Sequence, residues 1–247
     1  MKGAAVIPCF NEGRTIAPLV AALKEYFPFI LVVDDGSQDE TASAARNAGA
    51  EVIRHERNLG KGAAMQNGLA RLVNLDFEWA VTLDGDGQHD PGDLPAFFQC
   101  AERTRAPLIV GNRMMKAEAM PWVRRQVNRW MSRKLSEYSG QLLPDTQCGF
   151  RLIHLPAWAK LRLKSRHFEI ESEMLMAFLA AQYRVEFVPI GVHATTRKSR
   201  IHPFRDTVHW WRWWWSMKRE AQLHGAVFAG PLPKRDDLFV RTSSPFP

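Results

Sequence analysis

The chain has 247 residues, of which 46% are hydrophobic and 24% charged. This composition suits one large or two small α/β domains and excludes a disordered protein. The net charge of +7 is unevenly spread, since residues 1–112 carry 10 Lys/Arg and 15 Asp/Glu and residues 113–247 carry 23 and 11. We therefore expect cation binding in the first part and contact with a phosphate or an anionic surface in the second.

The three cysteines, Cys9, Cys100 and Cys148, are far apart and form no CxxC pair. This spacing indicates neither a disulfide framework nor a zinc site, and it favours a reducing cytosol. The apolar run Ala4–Ile7 is too short for a signal peptide, and no stretch reaches the ~18 apolar residues that cross a bilayer. We therefore expect a cytoplasmic protein without a membrane span.

Short β-rich runs alternate with helical patterns in the first 112 residues. Apolar strands separated by such helices are typical of βαβ units and a mostly parallel sheet, which binds ligands beyond the carboxyl ends of its strands. The predicted strands are Ala4–Ile7, Ile30–Val33, Glu51–Arg54, Trp79–Leu83 and Leu108–Val110, and the predicted helices are Thr15–Tyr26, Asp39–Asn47, Gly62–Leu72 and Gly92–Ala101.

The pattern changes after residue 112. It predicts a basic helix over Pro121–Ser136, a helix near Glu169–Gln182, a strand over Arg184–Val192 and a Trp-rich helix after Pro203. The proline-containing tail from Gly225 is predicted to be flexible. We accordingly divide the chain into an α/β domain over residues 1–202, an amphipathic helix over 203–224 and a tail over 225–247.

Two carboxylates flank a single glycine directly after the fourth predicted strand. Asp84 and Asp86 can both face one cation if the strand end curls, and hard oxygen ligands of this kind suit Mg²⁺ or Mn²⁺. A divalent ion there would bridge the two phosphates of a nucleotide diphosphate as it departs. An acidic turn is the alternative for an isolated pair, but the acidic loops that end two other strands favour a site.

Two further loops carry candidate ligand contacts. Asp34 and Asp35 end the second strand, where carboxylates accept hydrogen bonds from a base or a ribose, while Ser37 and Asp39 beside them resemble helix caps. Both roles are compatible. The glycines around Lys61 either bring this lysine and helix amides near a phosphate or form a simple turn, since the GxxxxGK[ST] spacing is absent.

Six motifs follow one another along the chain: Pro8–Glu12, Val32–Ser37 with Asp39 and Thr41, Asn58–Gly62, Asp84–Pro91, Gly111–Arg113 and Asp145–Arg151. In this order they resemble the motifs of family 2 glycosyltransferases with the GT-A fold. The resemblance covers about residues 3–205 and is greatest to the dolichyl- and polyprenyl-phosphate mannosyl- and glucosyltransferases. It implies a Rossmann-like α/β fold with a mixed, mostly parallel sheet flanked by helices, followed here by the C-terminal amphipathic helix.

The resemblance also implies roles for individual residues. Nucleotide-sugar contacts fall to Pro8, Phe10, Asn11, Glu12, Asp34, Asp35, Lys61, Asp84 and Gly85. The metal ligands are Asp84, Asp86 and Gln88, for Mg²⁺ or Mn²⁺, and the catalytic residues are Asp86, Asp145 and Arg113. The acceptor phosphate is expected to meet Arg113, Arg151, Arg197, Lys198 and Arg200, with Arg129 of the predicted basic helix as a further candidate.

The resemblance implies inverting transfer of a hexose from a UDP- or GDP-sugar to a polyprenyl or dolichyl phosphate. Such a phosphate is already ionised near neutral pH, so no general base is required. A lipid or small-molecule hydroxyl acceptor would need a base, for which Asp145 is the candidate, with a loop cap as its alternative role. Gln126–Trp130 spells the QxxRW signature of processive polysaccharide synthases, but it precedes the Asp145 motif, and we interpret it as coincidence.

Five tryptophans within six residues cover an arc of about 200° on the last predicted helix. Tryptophan favours membrane interfaces, and we expect Trp210, Trp211, Trp214 and Trp215 to dock the protein at the inner face of the cell membrane or on a membrane partner protein. Packing in the core or a dimer contact are the alternatives.

Two other features leave alternatives open. Glu169 and Glu171 either lie near the active site, as an acidic pair does in relatives, or complement a helix dipole at its N-terminus. A basic, Trp-rich nucleic-acid binder is a third functional class, which the acidic first part of the chain disfavours. We therefore expect no nucleic-acid partner.

Overall fold

The computed structural model describes residues 2–115, 120–191 and 203–223, and in the last range it describes the side chains of residues 207–219. Within these residues a seven-stranded sheet has the order β3-β2-β1-β4-β6-β5-β7. Its strands are β1 (Gly3–Cys9), β2 (Ile30–Asp34), β3 (Glu51–Arg54), β4 (Trp79–Thr82), β5 (Leu108–Asn112), β6 (Arg151–His154) and β7 (Val185–Pro189).

Helices cover the sheet and connect its strands. They are α1 (Ile16–Leu23), α2 (Thr41–Asn47), α3 (Lys61–Asn74), α4 (Leu94–Thr104), α5 (Trp122–Ser139), α6 (Leu155–Trp158), α7 (Ile170–Ala180) and α8 (Pro203–Leu223). Helix α3 packs on β1 and β2, and α4 packs on β5 and β7. The near-continuous apolar runs of β1 and β2 follow from this arrangement, because strands in a parallel sheet are covered on both faces.

The mixed, mostly parallel sheet with flanking helices confirms the predicted fold class. Strand β6 is the reversed member, since it runs antiparallel to both β4 and β5. The sequence pattern missed β6, which has only four residues and begins with the buried side chain of Arg151. The four-residue helix α6 was missed because it is too short to show a helical period.

One edge of the sheet collects the motifs. The carboxyl ends of β1, β2, β4 and β5 lie there because these strands point the same way. The reversed β6 brings its first residue to the same edge, with Arg151 opposite Thr82 of β4 and Val110 of β5. Loops distant in sequence therefore share one rim.

Helix α8 packs against the domain as part of its hydrophobic core, through Trp210 and Trp214. The indole of Trp210 lies 5.5 Å from that of Trp130 on α5, and its Nε1–H donates to Ser172 Oγ on α7 at 3.0 Å. In the part of the chain that the structure describes, no helix combines the length and apolar character needed to cross a bilayer. The predicted tail over 225–247 lies outside the described residues.

Candidate active site

The loops after β1 and β2 form one hydrogen-bonded wall of the site. The backbone N–H of Asn11 donates to Ser37 Oγ at 2.7 Å, and Asn11 Oδ1 accepts from the N–H of Gln38 at 2.7 Å. The N–H of Glu12 donates to Thr41 Oγ1, also at 2.7 Å. These bonds fix the segment of Pro8, Phe10, Asn11 and Glu12 against the residues that follow Asp34, and the nucleotide pocket at this place stays a prediction.

Asp34 is buried at this wall, and its two carboxylate oxygens have different surroundings. Its Oδ1 accepts from the N–H of Ser37 at 3.0 Å, which caps the turn. Its Oδ2 is buried without a hydrogen bond and lies 3.3 Å from Arg54 Nε. The capping role therefore falls to Oδ1, and the contact of Asp34 with a base or ribose stays a prediction.

Asp35 has a structural role in the loop before α3. Its carboxylate accepts from the N–H groups of Leu59 and Gly60, both at 2.8 Å, and lies 2.7 Å from His55 Nδ1. These partners contact both oxygens and anchor Asp35 in its loop, and its contact with the nucleotide stays a prediction. Asp35 thus holds the loop before α3, whose Gly60 has a φ of +100° that favours glycine.

Asp84 and Asp86 lie directly beyond β4, as predicted. The Asp84 carboxylate is pressed against Gly149, where an added Cβ would lie only 2.6 Å from Asp84 Oδ1. Gly85 fits equally closely, with Cys9 Sγ 2.5 Å from the position of a Cβ. Burial and the neighbouring Asp84 carboxylate raise the pKa of Asp86. A cation placed near two carboxylates that repel one another in this way would relieve their repulsion.

Lys61 lies in the site, but its partners are carboxylates. Its Nζ is 2.5 Å from both Asp84 Oδ1 and Glu171 Oε1. Although burial opposes it, these two acids raise the pKa of Lys61 well above its ordinary value. Burial likewise opposes ionisation of Asp84, yet the charge of Lys61 holds its pKa low. Glu171 therefore belongs to the site, although it also lies in the first turn of α7.

Arg113 and Asp145 form a buried ion pair behind Asp84. Arg113 Nε donates to Asp145 Oδ2 at 2.8 Å and Nη2 donates to Oδ1 at 2.9 Å, while Asn128 Nδ2 donates to Oδ1 at 2.9 Å. Burial opposes ionisation of Asp145, but Arg113 outweighs it and lowers the pKa. The prediction of Asp145 as a general base is therefore wrong, because its oxygens are already used and its affinity for a proton is low.

The same pair corrects the expectation for Arg113. Its guanidinium is almost entirely buried and directs Nε and Nη2 to Asp145, so these two donors are not directed to an acceptor phosphate. It still acts on the site through its charge, since it contributes to the low pKa of Asp84.

Arg151 is also buried, which contradicts its predicted contact with an acceptor phosphate. Nε donates to the carbonyl of Cys148 at 2.8 Å and Nη2 donates to that of Thr146 at 3.3 Å. Burial lowers the pKa of Arg151, and the charge of Glu171 opposes this effect. The arginine therefore fixes the loop that precedes β6 from the inside.

His89 is a site residue that the sequence analysis did not assign. Its imidazole is buried, with Nε2 3.9 Å from Cys148 Sγ and Nδ1 without a hydrogen bond. Burial lowers the pKa of His89 to about 4, so the ring is neutral at pH 7. The signal was its position in the Asp84–Pro91 motif, directly after Gln88.

Helix α5 reaches the site at its first turn. Arg124 Nη1 lies 3.5 Å from Oε1 of Gln88, and burial together with the charge of Arg113 lowers the pKa of Arg124. The predicted metal ligand Gln88 thus lies at the rim beside a basic side chain. Arg129 is exposed on the same helix, whereas Arg197, Lys198 and Arg200 lie outside the described residues.

The tryptophans of α8 divide between two faces. Trp210 and Trp214 are 2% and 7% exposed, which corrects their predicted contact with a membrane, because they pack on Trp130 and Tyr138 of α5. Trp211 and Trp215 are 37% and 62% exposed. The core-packing alternative therefore holds for one pair, and the second pair remains on the surface.

A mostly parallel α/β sheet with paired carboxylates beyond one strand and a cross-linked loop wall beside them is typical of enzymes that bind nucleotides. The family model described as Glycosyl transferase family 2 matches residues 4–161. This chain therefore belongs to glycosyl transferase family 2 and is a glycosyltransferase.

Individual relatives are similar to most of this chain. An uncharacterized protein of Methanocaldococcus jannaschii is 32% identical over 75% of this chain and 79% of its own length. The UDP-N-acetylglucosamine–dolichyl-phosphate N-acetylglucosaminyltransferase of Methanococcus voltae is 28% identical over 75% of this chain and 83% of its own. The dodecaprenyl-phosphate galacturonate synthase of Rhizobium johnstonii is 33% identical, over 83% and 58% respectively.

A solved structure shares the fold. The glucosyl-3-phosphoglycerate synthase of Mycobacterium tuberculosis, crystallised with Mg²⁺ and uridine diphosphate, superposes with a TM-score of 0.66. It covers 85% of this chain and 75% of its own, at 20% identity. This likeness confirms the GT-A fold.

Proposed function

We propose that this glycosyltransferase moves a hexose from a nucleoside diphosphate sugar to a polyprenyl-type lipid phosphate, with inversion at the sugar. The observation that carries the proposal is the position of Asp84 and Asp86 beside the loop wall of Asn11 and Asp34. Relatives named for transfer to dolichyl or dodecaprenyl phosphate support the choice of acceptor. The proposed donors are UDP-glucose or GDP-mannose, which differ in base and sugar.

Donor recognition rests on the wall that β1 and β2 provide. The Oδ2 of Asp34, which lies 3.3 Å from Arg54 Nε and makes no hydrogen bond, accepts one from the base or ribose, and the segment from Pro8 to Glu12 lines the nucleotide pocket. The hydrogen bonds from Asn11 and Glu12 to the next loop preorganise this pocket before the donor arrives. A prearranged pocket loses less conformational entropy on binding, which favours tight donor capture.

The side chains beyond β4 fit a divalent cation. The group comprises hard oxygen donors, and the carboxylates of Asp84 and Asp86 repel one another. A side chain at position 149 would push the Asp84 carboxylate away, and glycine at this position avoids that contact. Asp84, Asp86 and Gln88 would hold Mg²⁺ or Mn²⁺. When bound, the ion supplies charge stabilisation of the departing diphosphate.

The arrangement suits an acceptor that needs no base. The remaining catalytic work is to align donor and acceptor for in-line displacement and to hold two anions close together. An ionised lipid phosphate attacks the anomeric carbon directly, and its bond to the sugar forms as the bond to the nucleoside diphosphate breaks. The saturated carboxylate of Asp145 disfavours the alternative with a hydroxyl acceptor.

A donor screen with and without Asp86→Asn tests the proposal. Purified protein is mixed with Mn²⁺, a short polyprenyl phosphate and one of several radiolabelled nucleotide sugars, and the label in the organic phase is measured. The wild type should label the lipid from at least one donor, and Asp86→Asn should reduce the rate at least 100-fold because the cation site loses a charged ligand. The matched control Asp76→Asn removes an exposed carboxylate and should retain the wild-type rate.

Transfer only to hydroxyl acceptors, with none to the polyprenyl phosphate, would contradict the proposed acceptor. Near-normal turnover of Asp86→Asn would contradict the proposed cation site.

We also propose that α8 brings this enzyme to the inner face of the cell membrane, where a lipid phosphate is presented. Val208, Trp211 and Trp215 are exposed at positions that share one helical face, and Arg212 and Arg219 are exposed beside them. Apolar side chains bordered by cations match an anionic bilayer surface. Lys218 Nζ lies 5.8 Å from the ring centre of Trp215, so cation and indole are close enough to act together.

A further inference from the structure

A single ammonium group lies between two carboxylates that come from different elements. Lys61 begins α3, Asp84 follows β4 and Glu171 lies in the first turn of α7. The distances from Nζ to the nearer oxygen of each acid are both 2.5 Å. The side chain of Lys61 is only 15% exposed, and the ring of Phe168 lies 5.6 Å from Nζ.

This geometry places Lys61 on the same carboxylate that the proposed divalent cation would bind. A monovalent and a divalent cation a few ångströms apart repel one another strongly, especially away from bulk water. Asp84 Oδ1 therefore cannot serve both cations fully. Because Glu171 already contacts the same ammonium group, the side chain of Lys61 needs only a small rotation to leave Asp84.

Glu171 is suited to this second role by its own surroundings. Its carboxylate is buried and its Oε1 is paired with Lys61, and apart from this ion pair neither carboxylate oxygen accepts a hydrogen bond from the described residues. The buried Arg151 interacts with it electrostatically and has an Nη1 without a hydrogen bond. No other hydrogen-bond donor among the described residues therefore competes with the ammonium for this acid.

We propose that Lys61 is a built-in competitor of the divalent cation at Asp84, and that Glu171 is the positioning residue that holds Lys61 when the cation binds. The inference rests on the cation site of the proposed function. In the metal-free protein Lys61 neutralises Asp84. On cation binding Asp84 exchanges the ammonium for the metal, and the ammonium stays with Glu171 instead of entering water.

The first test measures Mn²⁺ binding to the metal-free full chain without any nucleotide. Binding is monitored through the electron paramagnetic resonance signal of free Mn²⁺. Lys61→Met should bind Mn²⁺ at least tenfold more tightly than the wild type, because it removes the competing charge. Lys61→Arg keeps the charge and should remain within threefold of the wild type. Glu171→Gln should bind several-fold more weakly, because Lys61 then depends on Asp84 alone.

The exposed pair Lys134 and Glu137, 3.1 Å apart on α5, supplies matched controls. Lys134→Met and Glu137→Gln make the same charge changes away from the site and should leave the dissociation constant of Mn²⁺ within twofold of the wild type. Thermal unfolding of each variant checks that it folds.

The second test follows the Lys61 ammonium by NMR of lysine ¹⁵Nζ, assigned by the loss of its signal in Lys61→Arg. Addition of Mg²⁺ to the wild type should shift this signal and keep it visible, since the ammonium stays paired and protected from exchange. In Glu171→Gln the signal should disappear on addition of Mg²⁺. A purely structural role of Glu171 would not make this loss depend on the metal.

Three results would overturn the inference. One is Mn²⁺ binding by Lys61→Met that is no tighter than in the wild type. Another is a Glu171→Gln variant that matches Glu137→Gln in Mn²⁺ affinity and keeps its Lys61 signal with Mg²⁺. The third is absence of Mn²⁺ binding in the wild type and in every variant, which would also overturn the proposed cation site. Glycosyl transfer measured in parallel with a chelator present shows whether the proposed transfer survives that failure.

Discussion

His89 illustrates how one buried side chain links the site to pH. Its pKa of about 4 lies well below the ordinary value of 6.5, so the unfolded chain binds a proton at a higher pH than the folded one. The neutral ring therefore contributes stability above pH 6.5 that is lost as the pH falls towards 4. The shift corresponds to about 3 kcal/mol of the free energy of unfolding.

Urea unfolding at pH 7 and pH 4 measures this contribution. The wild type should lose about 3 kcal/mol more between the two pH values than His89→Gln, which has no imidazole to protonate. His167→Gln removes an exposed histidine and should retain the wild-type loss. Equal losses in the wild type and His89→Gln would show that the ring is not held neutral by burial.

The pair of Arg113 and Asp145 makes a second prediction at this scale. Asp145→Asn leaves a buried guanidinium without its counter-charge and should lower the free energy of unfolding by about 3–5 kcal/mol. Glu137→Gln removes the exposed partner of Arg133 and should lower the free energy of unfolding by less than about 1 kcal/mol. Both values come from urea titrations at pH 7, and a loss below 1 kcal/mol in Asp145→Asn would contradict a supporting role for the pair.

At the scale of elements, α8 combines an inner and an outer tryptophan face. The double variant Trp211→Ser with Trp215→Ser removes the outer face and should lower flotation with anionic liposomes at least fivefold, since interfacial indoles contribute much of the binding energy. Trp122→Ser removes an exposed tryptophan from the start of α5 and is the matched control. Flotation of the double variant equal to the control would count against docking through α8.

The elements also show which features could be predicted from sequence. Asp34, Asp84 and the loop at Pro8 were placed at one edge because parallel strands present their carboxyl ends together. The burial of Arg151 cannot be predicted from sequence, because an arginine at the end of this motif suggests a phosphate contact. Only the reversed direction of β6 places its side chain inside the domain. The inner position of Trp210 was equally hidden, because a helix with tryptophan over a wide arc does not show which side packs.

At the scale of the whole molecule, the residues of the site explain part of the uneven charge of the sequence. Residues 1–112 supply the carboxylates of Asp34, Asp84 and Asp86 to the site. Residues 113–247 supply Glu171, which pairs with Lys61, and Arg113, which pairs with Asp145. Pairing of Lys61 with Glu171 was not predictable, since neither periodicity nor spacing links residues so far apart. Contacts of this kind depend on how α3 and α7 meet, which only the folded chain decides.

Donor binding should be visible as stabilisation of the entire fold. Uridine or guanosine diphosphate at about 100 times its Kd should add about 2.7 kcal/mol to the free energy of unfolding, because only the folded chain forms the pocket. Differential scanning fluorimetry should show a rise in Tm that is larger with Mn²⁺ than with a chelator. In Asp86→Asn the two conditions should give the same Tm, and a persistent Mn²⁺-dependent rise would place the cation elsewhere.

The reversal of β6 decides which sequence changes the enzyme tolerates. A parallel strand gives the site the loop that follows it, whereas β6 gives the loop that precedes it, so its later end at His154 lies at the far edge of the sheet. Residues Ala159 and Lys160 beyond that end are exposed. Insertions there should leave donor and acceptor selectivity intact, while a single added residue between Asp145 and Arg151 should alter it. Sequence variation among homologues can therefore accumulate at the edge of the sheet opposite the site without changing the chemistry of the site.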